Sequence, residues 1–392
     1  MRVIGLMSGT SLDGIDAALV RFDGGPADLD WRIEAFVTRP YAESHRAGIQ
    51  AVIDGGSAAA ICRLHARLGE WFAEAALDVC EAAAIEPAGI DLIGSHGQTV
   101  WHDPPTAGRR GATLQLGCAA TIAERTGIDV ISDFRSRDVA AGGHGAPLVP
   151  WVDGLLFSVP DRSRILVNIG GMANLTRVGP RGSADALLAF DTGPGNALID
   201  AAVGLASGGT ETFDRDGARA AAGRVHPEWL AELRAHPFFD SPPPRSTGRE
   251  TFGHMLVESL VDRWAVTGER WNDVVATLTA LTATTIADAV NRWAAPAGAD
   301  EVIVTGGGAH NPALLGTLAQ ALAPLPVRTG RDAGIDADAK EAVAFAALAW
   351  AHALGIAGSV PGVTGARGPR VLGSRTPGRS AAAPAGQIGT DH

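Results

Sequence analysis

Two stretches of this chain share one layout: an apolar strand, a glycine turn and a second strand. Val3-Ile4-Gly5-Leu6-Met7 runs into a polar turn at 8–13 and then the partly alternating segment 15–22. Ile165-Leu166-Val167-Asn168-Ile169 runs through Gly170-Gly171 into 174–178. A hairpin of this kind cannot bury both faces alone, and each copy is followed by alternating strand and helix patterns. The recurrence, in layout and not closely in letters, is a weak internal duplication, and it argues for two similar α/β halves with mixed sheets and a cleft between them. A length of 392 residues gives each half enough chain for its own core. Pro147, Pro150 and Pro160 punctuate the middle and place the boundary near 150–160.

The remaining pattern fits that plan. Residues 58–84 form a long helix, with Ile61, Leu64, Leu68, Phe72, Ala75 and Val79 at three- and four-residue steps. Leu92-Ile93 is a short strand that ends in the polar run 94–98; 114–116 and 130–131 are further strands around a helix near 118–126. A long helix covers about 273–294. Val302-Ile303-Val304 is a buried-type strand entering Gly306-Gly307-Gly308, with a helix from Pro312 and a last helix from about Asp338 to Leu354. The Gly-, Ala-, Pro- and Ser-rich end offers little to bury and reads as disordered from about 375.

Charge narrows the function classes. With 43 acidic against 32 basic residues the net charge is -11, which disfavours nucleic acid and anionic membranes as partners. No apolar run approaches the eighteen or so residues of a membrane span, and the N-terminus lacks a signal-peptide pattern, so a cytoplasmic protein is expected. The three cysteines form no metal motif. Lys340 is the sole lysine. A Walker A loop requires Gly-Lys-Ser/Thr, and a protein kinase requires a lysine far upstream, so neither architecture is available for ATP.

Four segments carry candidate chemistry, each with a plainer alternative. Gly9-Thr10-Ser11-Leu12-Asp13-Gly14-Ile15-Asp16 supplies glycines and hydroxyls suited to phosphate, with Asp13 or Asp16 able to hold Mg²⁺ through water; it could equally be an ordinary hairpin turn. Gly306-Gly307-Gly308, between strand and helix, would let a nucleotide lie on the backbone, or is a common junction. Asp191 ends a strand at a glycine-rich turn, where it could take a proton from water or merely cap the following helix. The run 95–103, with His96 and Gln98, and the run 133–138, with Arg135 and Arg137, suit a sugar and its carboxylate, or are solvated loops.

Seven segments in order resemble the anhydro-N-acetylmuramic acid kinase family: 5–14 (GLMSGTSLDG), 94–102 (GSHGQTVWH), 142–148 (GGHGAPL), 168–175 (NIGGMANL), 191–196 (DTGPGN), 246–250 (STGRE) and 304–308 (VTGGG). The resemblance runs from residue 3 to about Gly373. It implies two duplicated actin-like ATPase (ribonuclease H-like) domains, at 1–155 and 156–373, with an interdomain cleft, the last helices packing back on the first domain, and a tail at 374–392. It implies ATP and Mg²⁺, and a reaction that opens 1,6-anhydro-N-acetylmuramic acid and phosphorylates O6 in cell-wall recycling. Residues Gly9 to Asp16 would form the first phosphate loop, Gly170 and Gly171 the second, and Gly306 to Gly308 the adenosine side. Asp191 would be the general base. His96, Gln98, Arg135, Arg137 and Glu341 would meet the sugar. His144 and Cys118 depart from the residues expected there, Gln and an acidic residue. Homodimerisation stays open, as do another sugar or acetate-type kinase of the same superfold and a non-catalytic ATP-binding regulator.

Overall fold

Both sheets grow from a strand buried on its two faces. Val3, Ile4 and Leu6 of β1 (Arg2–Ser8) have no solvent exposure, the mark of a central strand. β2 (Gly14–Asp23) and β3 (Asp30–Pro40) continue it as an antiparallel meander. β4 (Leu92–Asp103) lies parallel on the other side of β1, followed by β6 (Val130–Ser132); β5 (Ala112–Leu116) pairs antiparallel with the far half of β4. A computed structural model provides these coordinates and describes residues 1–378 except 10, 107, 184–186, 269 and 335–338.

The second sheet repeats the order. β7 (Arg164–Ile169), β8 (Met172–Val178) and β9 (Leu188–Pro194) form the meander, and β10 (Glu301–Thr305) and β11 (Val327–Thr329) add parallel strands beside β7. Three antiparallel strands followed outward by parallel ones, twice in one chain, is the duplicated actin-like, ribonuclease H-like arrangement. Ile165, Val167 and Ile169 pack with Ile286, Val290, Leu314 and Leu318 in the second core.

The chain divides into two units, Met1–Val152 with the segment from Ala339 onward, and Asp153–Asp338. In the first unit, β1 carries alternate side chains to opposite faces. Ile4 and Leu6 join Leu68 and Phe72 of the Ala58–Ala82 helix, whose N-terminus is capped by the Ser57 hydroxyl. On the other face, Gly5 and Gly94 leave room for the Lys340–Ala353 helix; a Cβ on either would collide with that helix's backbone. Trp350 of this helix stacks on Phe22 at 5.6 Å.

Three readings change. The second domain does not run on to 373, because the 339–378 segment packs with the first sheet. The tail does not begin at 374: β12 (Ser374–Thr376) pairs antiparallel with β6, Arg375 pairs with Asp129, and the Gly378 N–H reaches the same carboxylate at 2.7 Å. Residues 379–392 lie outside the described ones. Among the described residues one helical run, Arg270–Ala297, is long and apolar enough to cross a membrane, but 83% of its apolar window is buried in the fold, as in a core helix.

Candidate active site

The first glycine turn hangs between β1 and β2. Gly9 carries no left-handed φ, and a Cβ there would find nothing nearer than Ser11 Oγ at 3.5 Å. Asp13 Oδ1 accepts from the Ser11 hydroxyl (2.9 Å) and the Gly14 N–H (3.0 Å), which shapes the turn from within. Asp16 accepts from the Thr38 hydroxyl at 2.6 Å. Two of the expected loop residues point elsewhere: the Leu12 and Ile15 side chains are buried in the first core, so only their backbone is available to a ligand. Thr10 lies outside the described residues.

The run 95–103, which suited either a sugar or a solvated loop, lies within β4, and this relocates its side chains. Gln98 is wholly buried. Its Nε2 donates to the carbonyls of Gly9 and Thr99 (both 3.2 Å), and its Oε1 lies 2.6 Å from Ser8 Oγ. Ser8 also lies 2.9 Å from the Tyr41 hydroxyl, whose pKa burial pushes to about 12. Gln98 therefore buttresses the turn from beneath and does not face a sugar. His96 is buried against the Phe345 ring, and burial followed by the nearby Arg135 charge holds it well below its usual pKa. The neutral ring fits one tautomer: Nδ1–H donates to the Gly97 carbonyl (2.8 Å) and Nε2 accepts from Arg135 Nε (3.0 Å). His96 thus orients Arg135. Arg135 also donates to the Gly145 carbonyl (2.8 Å), and burial lowers its pKa to about 10. Arg137 is exposed and donates to the Val371 carbonyl (3.1 Å), which anchors the 359–373 segment instead of joining Arg135.

Glu341 opens the Lys340–Ala353 helix. Its side chain is exposed but crowded: desolvation raises its pKa, and the charges of Asp16 and Asp13 add to the rise, against Arg135 and Lys340. Asp13, Asp16 and Glu341 thus share one patch of negative potential. Among the described residues no three acidic, His or Cys side chains converge closely enough to cage a metal. That donor set fits Mg²⁺ carried on its own waters and a phosphate.

In the second unit, Gly170 and Gly171 join β7 to β8, and neither has a left-handed φ or a neighbour nearer than 3.5 Å to a built Cβ. Their carbonyls accept the N–H groups of Gly195, Asn196 and Ala197 at 2.8–3.0 Å, so the turn itself caps the Ala197–Ala206 helix. The three glycines after β10 differ. Gly306 adopts φ +78°, and Gly308 lies against Ile169, 2.6 Å from its Cβ were a Cβ added; Gly307 meets only Asn196 Nδ2, at 3.5 Å. Beside Gly307 opens a cavity of about 510 Å³, lined also by Asn196, Ile199, Asp200, Phe213 and His310. Burial, with Asp214 adding, raises Asp200 to about 6 against the pull of Arg249. Of these lining residues the sequence marks only Asn196, as the end of the 191–196 segment. Asn196, Ile199 and Asp200 were findable, because their three- and four-residue spacing puts them on one helix face.

Asp191 lies on β9. Its Oδ2 accepts the Thr247 N–H at 2.9 Å, from a loop and not from the helix behind it, so the helix-capping alternative falls. Burial raises its pKa, opposed by that amide and by Arg245. A raised, hydrogen-bonded carboxylate that keeps one oxygen for another partner can accept a proton.

A family model described as anhydro-N-acetylmuramic acid kinase matches residues 1–378. A curated relative of that name from Caldanaerobacter subterraneus subsp. tengcongensis is 44% identical over 378 residues, 95% of this chain and 96% of its own. Another from Salinibacter ruber is 45% identical over 380 residues, 95% of each. Among solved structures, the activator of 2-hydroxyisocaproyl-CoA dehydratase from Clostridium difficile with bound ADPNP is similar at TM-score 0.46 and 13% identity, over 90% of this chain and 96% of that one. The chain belongs to the anhydro-N-acetylmuramic acid kinase family, and is a phosphotransferase with an alcohol group as acceptor.

Proposed function

We propose that the protein uses ATP to convert 1,6-anhydro-N-acetylmuramic acid and water into N-acetylmuramate 6-phosphate and ADP, as a cytoplasmic step of peptidoglycan recycling. The observation that carries the chemistry is Asp191, a carboxylate raised by burial and held by the Thr247 amide. It takes a proton from water as the water oxygen bonds to C1. The bond between C1 and the bridging oxygen breaks, and that oxygen stays on C6. It then attacks the γ-phosphorus, ADP leaves, and the proton held by Asp191 passes to solvent.

Gly9, Gly170, Gly171 and Gly307 support the nucleotide reading. Each is a glycine at a turn where the fold has room for a side chain. Gly9 and the Ser11 hydroxyl would serve one phosphate turn and Gly170-Gly171 the other, with Gly307 and its cavity serving adenosine. Mg²⁺, when bound, would neutralise phosphate charge; Asp13 and Asp16 would hold it through water. Arg135, set by His96, would meet the sugar's carboxylate, and Glu341 a sugar hydroxyl.

The test is isotopic. Turnover in ¹⁸O-water, sampled early because the anomeric hydroxyl exchanges, should place the label on the sugar and leave the transferred phosphoryl group unlabelled. Label in the phosphoryl group would mean water attacks phosphorus, and would sink the mechanism. Asp191→Asn should slow ring opening and ADP formation together by about 10²–10⁴-fold.

A further inference from the structure

The loop that brings Thr247 to Asp191 has no helix or strand between residues 241 and 253. Its order must come from side-chain contacts, and these converge on Arg245. The Arg245 carbonyl accepts the Asp191 N–H at 3.0 Å, and Arg245 Nε donates back to the Asp191 carbonyl at 3.0 Å. Nη1 lies 3.1, 3.0 and 2.7 Å from the carbonyls of Phe238, Phe239 and Ser241, which share its two protons. The guanidinium also lies 5.3 Å from the Phe190 ring centre and 4.8 Å from that of Phe238. Phe239 rests on Gly193, two residues past Asp191, where a Cβ would come within 2.6 Å of its ring. One half-buried cation therefore ties three carbonyls of the 238–241 segment to the strand that carries the base.

We propose that Arg245 is a positioning residue for catalysis: it pins the 237–247 loop to the end of β9 and so presents the Thr247 amide to the Asp191 carboxylate. The proposal rests on the reading of Asp191 as the base. With Oδ2 held by the amide, Oδ1 is left to face the water. The amide bond and the nearby guanidinium both favour the ionised carboxylate and oppose the effect of its burial. Arg245 in turn is influenced by Arg292, which repels it, and by Asp191 and Asp240, which attract it. Lysine replaces it only in part, because an ammonium keeps the charge but lacks the planar fork that reaches Asp191 and the loop carbonyls together.

The experiment measures kcat/KM for ring opening against pH in the full chain, for the parent, Arg245→Lys, Arg245→Met, Asp191→Asn and the double variant Asp191→Asn/Arg245→Met. A base works when ionised, so activity rises with pH through its pKa. Arg245→Met should move that acidic limb upward by about one pH unit. It should also lower kcat by about tenfold to a hundredfold, with nucleotide affinity unchanged. Arg245→Lys should shift the limb less. In the Asp191→Asn background, Arg245→Met should cost less than about twofold, because the group it serves is gone. An unmoved limb, or an equal loss with and without Asp191, would reduce Arg245 to a structural clamp and overturn the proposal. Near-parent ring opening by Asp191→Asn alone would instead sink the base reading itself. If Arg245→Met fails to fold, the limb of Arg245→Lys decides.

Discussion

Replacing each of the three glycines after β10 by alanine, and Gly307 by valine, separates what the fold requires from what a ligand requires. Alanine at Gly306 must adopt φ +78° and put its Cβ 2.7 Å from Asn168 Oδ1 and 2.8 Å from the Ile169 carbonyl oxygen. Left-handed backbone alone costs about 1–2 kcal/mol, and the contacts add to it. Alanine at Gly308 drives into Ile169, an overpacking cost of about 1–3 kcal/mol. Gly307 has neither problem: its φ is ordinary and the nearest atom is 3.5 Å away. Alanine there should leave stability unchanged or raise it by about 0.4–1 kcal/mol, since the unfolded chain loses freedom. Nucleotide binding should show the reverse order of sensitivity. If the adenosine lies on the Gly307 backbone, valine interposes two methyl groups and weakens ATP by at least about tenfold, or 1.4 kcal/mol. Calorimetric titration with ATP, beside melting curves without it, reads both quantities on the same samples. A folded Gly307→Val protein that binds ATP within about twofold of the parent would refute the placement of the nucleotide.

Three further outcomes are expected. Burial raises Asp200 from an ordinary 3.8 to about 6, so folding favours its neutral form, and that stability, full below 3.8, is lost as pH climbs through 6. Asp200→Asn escapes the loss: its melting temperature should exceed the parent's by more at about pH 7.5 than at about pH 5, with a ceiling near 3 kcal/mol, and an equal difference at both would discount the shift. Gln98→Ala removes one partner each from the Gly9 carbonyl and the Ser8 hydroxyl, which keep the Leu12 N–H and the Gly14 carbonyl with Tyr41, and it opens a void beneath the turn; this should cost about 1–2 kcal/mol in denaturant unfolding and raise the KM for ATP, and a KM unchanged in a destabilised protein would detach Gln98 from the turn's function. Ending the chain after Gly373 removes β12 and the partners of Asp129, and should lower the melting temperature by a few degrees, about 1–2 kcal/mol; a cut protein that melts with the parent would show the strand adds nothing.

The glycine turns were legible because their signals are local: an apolar run, glycines, a second run. The Ala58–Ala82 and Pro312–Leu322 helices were legible for the same reason, through their periodicity. The roles of His96 and Gln98 were not. A polar run with two glycines resembles a loop, and only the pairing of β4 with β1, about ninety residues upstream, reveals a buried strand. β3 and β11 were missed. β3 mixes polar and apolar residues on a half-exposed strand, and β11 has three residues and is held mainly by its pairing with β10. β12 escaped because a short polar segment has no pattern of its own and is ordered by Asp129 far away in sequence. Asp191 illustrates a different limit. Its type and neighbours fitted a base and a helix cap equally, and the partner that decided between them, Thr247, is fifty-six residues on.

The return of the Lys340–Ala353 helix to the first sheet has a consequence for how the chain is made. On a ribosome, β1 to β6 emerge early, but the face notched by Gly5 and Gly94 stays uncovered until residue 353 has been synthesised. The second unit is continuous from Asp153 to Asp338 and has all its strands in hand before that helix appears. The unit whose code is read first should therefore be finished last, with the later-coded unit folding inside the interval. During that interval an apolar sheet face waits in water, and nascent chains stalled before residue 340 should be the ones that recruit chaperones and expose β1 to protease.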